Sequence, residues 1–176
     1  MRVLAIDPGP EHSAVCLYDT GSAGPIRATW TTNAHALEMA RFGVLCDGET
    51  ICERADVLAI EKVISYGQLV GAPTFETVYW SGRFAEAWGG PVVRISQPQA
   101  KSHLCYTPNA KDAQWRAALL ARFGGKGTKK APGRLYGFNE HRWSALLIAV
   151  AVADLWWERG ADGGPVLPVE GEENGD

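Results

Sequence analysis

Met1-Arg-Val-Leu-Ala-Ile-Asp7-Pro8-Gly9-Pro10, read with Asp56-Val-Leu-Ala-Ile-Glu61, is where the fold becomes legible. Each is a short apolar stretch whose last residue is acidic. Val3 to Ile6 and Val57 to Ile60 are unbroken apolar runs, as strands buried on both faces of a sheet are, although four residues alone also suit a buried helix. Pro8-Gly9-Pro10 decides the first case, because a helix cannot continue through it. If the two strands are neighbours, Asp7 and Glu61 lie side by side at the edge of the core. Carboxylates held that close repel each other and call for a shared proton or a divalent cation. The plainer reading, in which each acid simply caps a strand end at the surface, stays open at this point.

Outward from these strands, the chain of 176 residues with 46% hydrophobic content fits one domain with a proper core. No stretch is long and apolar enough to cross a membrane, and Met1 leads straight into a strand with no charged segment and apolar stretch before it, so a cytoplasmic protein is expected. Cys16, Cys46, Cys52 and Cys105 lack C-x-x-C spacing and read as reduced thiols. The net charge of -3 hides an asymmetry, since six of the 20 acidic residues fall from Glu158 onward against Arg159 alone. Before that point 16 basic residues face 14 acidic ones. Between Arg94 and Arg134 nine basic residues face the single acid Asp112, a local excess suited to a polyanion.

The order of elements follows from turn and cap signals. Ser13 to Tyr18 and Ile26 to Thr31 read as strands joined by the Asp19–Pro25 hairpin connection. Asn33 is placed to cap a helix to about Leu45, and a polar crossover from Asp47 to Arg54 leads into the Glu61 strand. A helix from about Pro73 to Trp88 begins with proline and ends at Gly89-Gly90. Val92 to Ile95 is a fifth strand, Asn109 caps a helix through Phe123, and Asn139 to Trp157 forms the last helix. Residues 1–158 make the domain, and 159–176 an acidic tail expected to be disordered. Three strands in hairpin order followed by helix, strand, helix, strand and two helices describe an α/β fold, a mixed five-stranded sheet flanked by helices, and this order resembles the ribonuclease H-like architecture. In that architecture the first strand and the strand after the first helix are adjacent and carry the first two acids.

Five segments in order carry a resemblance: Ala5-Ile-Asp7-Pro-Gly9, Ala59-Ile-Glu61-Lys-Val-Ile-Ser65-Tyr66-Gly67, Lys111-Asp112, Gly127-Thr-Lys-Lys-Ala-Pro-Gly133-Arg-Leu-Tyr-Gly137 and His141-Arg-Trp-Ser-Ala145. They resemble the RuvC-type Holliday junction resolvases, especially the compact versions of bacteriophages and prophages. The resemblance implies a homodimeric endonuclease that cuts two opposed strands of a four-way DNA junction with Mg2+, or Mn2+, as cofactor. Water attacks the phosphodiester in line with the leaving 3′ oxygen, with two metals about 3.5–4 Å apart. Asp7 matches the acid that bridges both ions, and Glu61 the acid on the neighbouring strand that binds one of them.

The chain departs from the cellular resolvases at the last helix, where their second pair of ligands, three residues apart, becomes His141 and Ser144. Residues three apart share a helix face, so the geometry survives while a carboxylate is missing. His141 offers an imidazole to a metal or takes a proton from the attacking water, and the bland alternative is a helix-start histidine bonded to backbone. Asp112 is a candidate for the missing acid, or a helix-start charge favoured by the dipole. Glu140 points about 100° away from His141 around the helix and reads as a surface residue.

Lys129 and Lys130, in a loop read as flexible and basic, are the leading phosphate contacts, with Lys62, Lys101, Lys111, Lys126 and Arg134 in support. Tyr66 is placed to stack on an unpaired base or to pack on the neighbouring helix. The expected dimer surface is the aromatic helix from Thr74 to Trp88, with Phe75, Tyr79, Trp80, Phe84 and Trp88. Competing readings are a related nuclease for other branched DNA, a junction-binding protein that no longer cuts, and a sugar-kinase or actin-like ATP-binding protein. The last needs a duplicated domain, for which the chain is too short.

Overall fold

The computed structural model describes residues 1–21, 26–43, 54–65, 67 and 69–160, with the side chains up to Trp156. Its elements run β1 (Arg2–Asp7), β2 (His12–Asp19), β3 (Ile26–Thr32), α1 (Asn33–Phe42), β4 (Val57–Glu61), α2 (Ala72–Trp88), β5 (Val92–Ile95), α3 (Gln97–Cys105), α4 (Asp112–Phe123) and α5 (Glu140–Gly160). The five strands form one mixed sheet in the order β3-β2-β1-β4-β5. β2 is antiparallel to β1 and β3, while β4 is parallel to both β1 and β5.

Strand side chains alternate between the two faces of a sheet, and this alternation divides the apolar runs into two cores. Val3, Ala5, Ala14, Cys16, Val57 and Ala59 face α5, together with α3 and α4. Leu4, Ile6, Val15, Leu17, Leu58 and Ile60 face α1 and α2. Small residues lie under α5 and large ones under α1 and α2, so α5 approaches the sheet closely. Its stretch Ala145–Ala153 is buried throughout.

Three local details differ from the sequence reading. Thr32, rather than Asn33, caps α1, its hydroxyl accepting from the His35 amide. Asn33 is buried instead and accepts from the Ser13 hydroxyl (2.6 Å) while donating to the Gly9 carbonyl (3.0 Å), which pins the turn after Asp7. A Cβ at Gly9 would meet the His12 carbonyl oxygen at 2.4 Å, so this turn requires glycine. α4 starts from Lys111 as its cap and not from Asn109, because the Gln114 side chain closes back on the Lys111 amide at 2.8 Å. α3 was not anticipated at all. Pro98 and a low apolar content disguised it, yet Ser96-x-x-Gln99 forms a reciprocal capping box, a signal that was present in the sequence. The expected segments 22–25, 44–53 and 161–176, with Cys46, Cys52, the end of the first helix at Leu45 and the acidic tail, lie outside the described residues. Among the described residues no helix is long and apolar enough to cross a membrane.

Candidate active site

β1 and β4 pair Val3 with Val57, Leu4 with Leu58, Ala5 with Ala59 and Ile6 with Ile60, so the next pair in register is Asp7 with Glu61. Both acids continue the odd-numbered face that α5 covers. The sheet therefore aims two carboxyl groups at the start of α5, where His141 is the second residue. The His141 Nδ1 lies 3.1 Å from an Asp7 carboxyl oxygen. Three residues separated by up to 134 positions in sequence meet at one end of the sheet.

The electrostatics of this corner are strained. Glu61 is pushed up to about 8, chiefly by burial and then by the neighbouring Asp7 charge, with smaller opposite pulls from His141 and Lys101. Among the described residues its Oε2 is buried without a hydrogen-bond partner. A buried carboxylate oxygen left unsatisfied costs free energy unless a proton or a cation meets it. The bond to Asp7 raises His141 above its ordinary value, against a smaller opposing effect of burial. An ionised Asp7 accepts from Nδ1–H, which leaves the lone pair of the ring on Nε2.

The donor set suits a hard divalent cation at the carboxylate pair, since Asp7 supplies charge and Glu61 an oxygen with no other partner. Among the described residues no three His, Cys, Asp or Glu side chains converge as a ready cage. The fold offers a carboxylate pair with an imidazole on its rim. Ser144, one turn on from His141, accepts a long 3.4 Å hydrogen bond from Gln97 of α3. Glu140 is exposed, as its helical position suggested, and has a positive φ of 35°.

The other expected residues divide into several groups. Asp112 is 64% exposed, accepts from Trp115 Nε1 and Arg116, and lies 4.0 Å from Lys101. No hydrogen bond or ion pair joins it to Asp7, Glu61 or His141, and its pairing is that of a helix-start charge. Lys62 and Lys101 line a groove of about 700 Å³ beside Glu61, with Gln97 and Asn109. Lys111 is exposed at the cap of α4. Lys126 is exposed, and its Nζ donates to the Phe138 carbonyl (3.1 Å) above the Trp143 ring. Arg134 packs over the Phe123 ring. Tyr66 lies outside the described residues.

The basic loop is built rather than loose. Thr128 and Ala131 exchange backbone hydrogen bonds, and the Gly133 amide donates to Lys126, which leaves Lys129 and Lys130 at an exposed tip. Cβ atoms at Gly127 and Gly133 would meet backbone atoms at 2.3 Å and 2.1 Å, so the glycines serve close packing of this turn. On α2, Phe84 and Trp88 belong to the core, and only Phe75, Val78 and Tyr79 are broadly exposed. The expected aromatic surface is therefore narrower than the sequence suggested.

Sequence reasoning missed three residues of this corner. Gln97 was hidden with α3. Trp30 was visible only as a strand residue and His12 lay just before the expected second strand, yet the register Ala14 opposite Trp30 puts both on the face of Asp7. Strand alternation was the signal that would have found them.

The overall fold of this chain recurs in solved structures. The chain has the fold of RuvC. The Thermus thermophilus RuvC structure superposes with a TM-score of 0.62 over 94% of this chain and 100% of that one, at 22% identity. Thermus thermophilus RuvC in complex with a Holliday junction substrate gives a TM-score of 0.60 over 94% of this chain and 99% of that one, at 21% identity. The sequence matches no protein-family model and no curated protein.

Proposed function

We propose that this chain is a divalent-metal-dependent endonuclease that resolves four-way DNA junctions by paired, symmetric nicks. The observation that carries this reading is the RuvC-like sheet that brings Asp7 and Glu61 together, with one Glu61 oxygen buried and unpartnered. Asp7 and Glu61 would hold Mg2+ or Mn2+, and such an ion would supply charge stabilisation to the phosphodiester and acidify the attacking water. His141, its Nδ1–H directed at Asp7, accepts the proton of that water at Nε2. Lys62 and Lys101 border the groove beside Glu61 and attract the phosphate backbone. With such a DNA substrate, the cytoplasm of a bacterium or of a phage-infected host is the proposed location.

The test is cleavage of a synthetic immobile four-way junction with magnesium, manganese or chelator, beside linear duplex and flap controls. Symmetric nicks that need the metal support resolution. Cutting of flaps in preference to junctions assigns other branched DNA instead. The second reading, a junction-binding protein that does not cut, is favoured by Ser144 standing where the resolvases carry an acid and bonding to neutral Gln97. Tight junction binding without nicks in either metal would establish it.

Two further expectations concern the surface. Lys129→Ala with Lys130→Ala weakens junction binding and lowers the log–log salt slope by roughly 0.9 per lost phosphate contact. The turn that presents these lysines is closed by its own backbone, so the double variant leaves the fold intact; binding measured across a salt series with an unchanged slope removes the tip from the interface. Two cuts related by the symmetry of the junction call for a two-fold dimer. The exposed Phe75, Val78 and Tyr79 of α2 are its proposed contact. Sedimentation gives a dimer for the wild type and a monomer for Phe75→Lys with Tyr79→Lys, and a wild-type monomer at micromolar concentration in the presence of junction contradicts the assembly.

A further inference from the structure

Trp30 is a large apolar side chain with no apolar role. It lies on β3, an edge strand, is 41% exposed, and belongs to neither core. Its ring stacks, among the described residues, on two imidazoles. The indole stacks on His141 with ring centroids 4.7 Å apart and planes 16° from parallel. It also stacks on His12 at 5.8 Å and 16°. His12 stands opposite Thr32 in the β2–β3 register, two residues along from the Ala14–Trp30 pair, so both rings rise from the same face.

Among the described residues the His141 ring has one hydrogen bond, from Nδ1 to Asp7. A single hydrogen bond fixes a distance and leaves the ring free to swing about that axis, which carries Nε2 through an arc. A flat partner against the face of the ring removes this freedom. The backbone adds a second constraint, because Glu140, just before His141, holds a positive φ that a non-glycine residue adopts only when its surroundings impose it. Those surroundings are visible: Arg142 donates to the Gly137 carbonyl at 2.9 Å and Trp143 Nε1 to the Phe138 carbonyl at 3.1 Å.

We propose that Trp30 is a positioning residue for His141, stacking on the imidazole so that Nδ1 stays on Asp7 and Nε2 keeps a fixed direction toward the reacting phosphodiester. The proposal rests on the nuclease reading for its kinetic consequence and on geometry alone for its structural one. Trp30 makes no bond to substrate in this role. It acts through the ring that it holds.

The experiment therefore has two arms. In the metal-free protein, long-range 15N–1H spectra at a pH that keeps the ring neutral show His141 as one tautomer, with the proton on Nδ1. Trp30→Ile, which keeps a strand-forming side chain and removes the ring, averages the two nitrogen shifts, and Trp30→Phe restores the single tautomer. In single-turnover nicking of a four-way junction, Trp30→Ile slows the cut by roughly ten- to a hundredfold, as loss of orientation does, while the junction Kd is unchanged. Trp30→Phe recovers most of the rate. Should the isoleucine variant fail to fold, Trp30→Thr, the residue type that flanks Trp30 on both sides, replaces it. A single tautomer retained in Trp30→Ile overturns the proposal, as does a phenylalanine variant no better than isoleucine. Weakened junction binding at an unchanged cutting rate makes Trp30 a DNA contact and overturns it too. If the wild type cuts no junction at all, the nuclease reading fails, and the spectra alone decide whether Trp30 positions His141.

Discussion

Asp7→Asn and Glu61→Gln each abolish nicking of a four-way junction while leaving junction binding intact. Both substitutions keep shape and remove the ability to present a carboxylate to a cation, so the fold and the basic surface are undisturbed. What disappears is the hard anionic donor that a divalent cation requires. Loss of metal-assisted stabilisation of the transition state costs several kcal/mol, and about 4 kcal/mol is already on the order of a thousandfold in rate. His141→Ala has a smaller effect, roughly a hundredfold or more, the range of a general base, and His141→Asp retains part of the activity because aspartate also offers a hard oxygen. Ser144→Asp is tolerated in magnesium, since the position lies on the His141 face of α5, and Asp112→Asn cuts near the wild-type rate because Asp112 is engaged with Arg116 and Trp115. The checks are single-turnover nicking and gel-shift binding on one labelled junction. Near-normal nicking by either Asp7→Asn or Glu61→Gln would remove the assigned carboxylates from the chemistry. Inactivity of Asp112→Asn with an intact fold would make Asp112 the acid that the last helix lacks.

These assignments draw unequally on sequence and structure. The strands and both acids were legible because a buried strand is an uninterrupted apolar run and its end is marked by the first charge; Val57–Ile60 and Glu61 show this plainly. α5 was legible for the same reason, as Trp143 and the run Ala145–Ala153 leave little room for another reading. α3 was not, because its content is polar and its start carries Pro98, and the capping box that defines it is local chemistry easily outweighed by hydrophobic pattern. The histidine and tryptophan at the rim were missed for a different reason. His12, Trp30 and His141 come from three elements, and only the sheet register and the approach of α5 bring their rings together. The loop around Lys129 was read as flexible from its glycines, whereas those glycines permit backbone groups to approach closely and so make it compact.

The elevated Glu61 carboxyl has a consequence for stability that needs no substrate to test. In the folded protein this group titrates at about 8, against an ordinary value of 4.5. Between those values the folded chain keeps a proton that the unfolded chain has released, so stability must fall as pH rises. The contribution is fully present below about 4.5 and is lost by the time pH has passed through about 8. Its slope approaches ~1.4 kcal/mol per pH unit at most, and because part of the shift comes from a charge shared with Asp7 the total is several kcal/mol at the upper limit. His141, also raised, adds a loss of the same sign above its ordinary value, small because its side chain is 56% exposed and screened. Denaturant unfolding of the chelated wild type across this pH window therefore shows a falling midpoint, and Glu61→Gln, neutral at every pH, flattens most of the fall. Magnesium acts in the opposite sense. On the proposed reading it would displace the Glu61 proton on binding, so its affinity for the folded protein would rise with pH up to about 8, and binding below that value would release a proton measurable by titration in buffers of different ionisation enthalpy. Parallel stability curves for wild type and Glu61→Gln, with no proton released when magnesium binds, would mean that Glu61 is ionised in the folded protein and needs no cation to settle its charge.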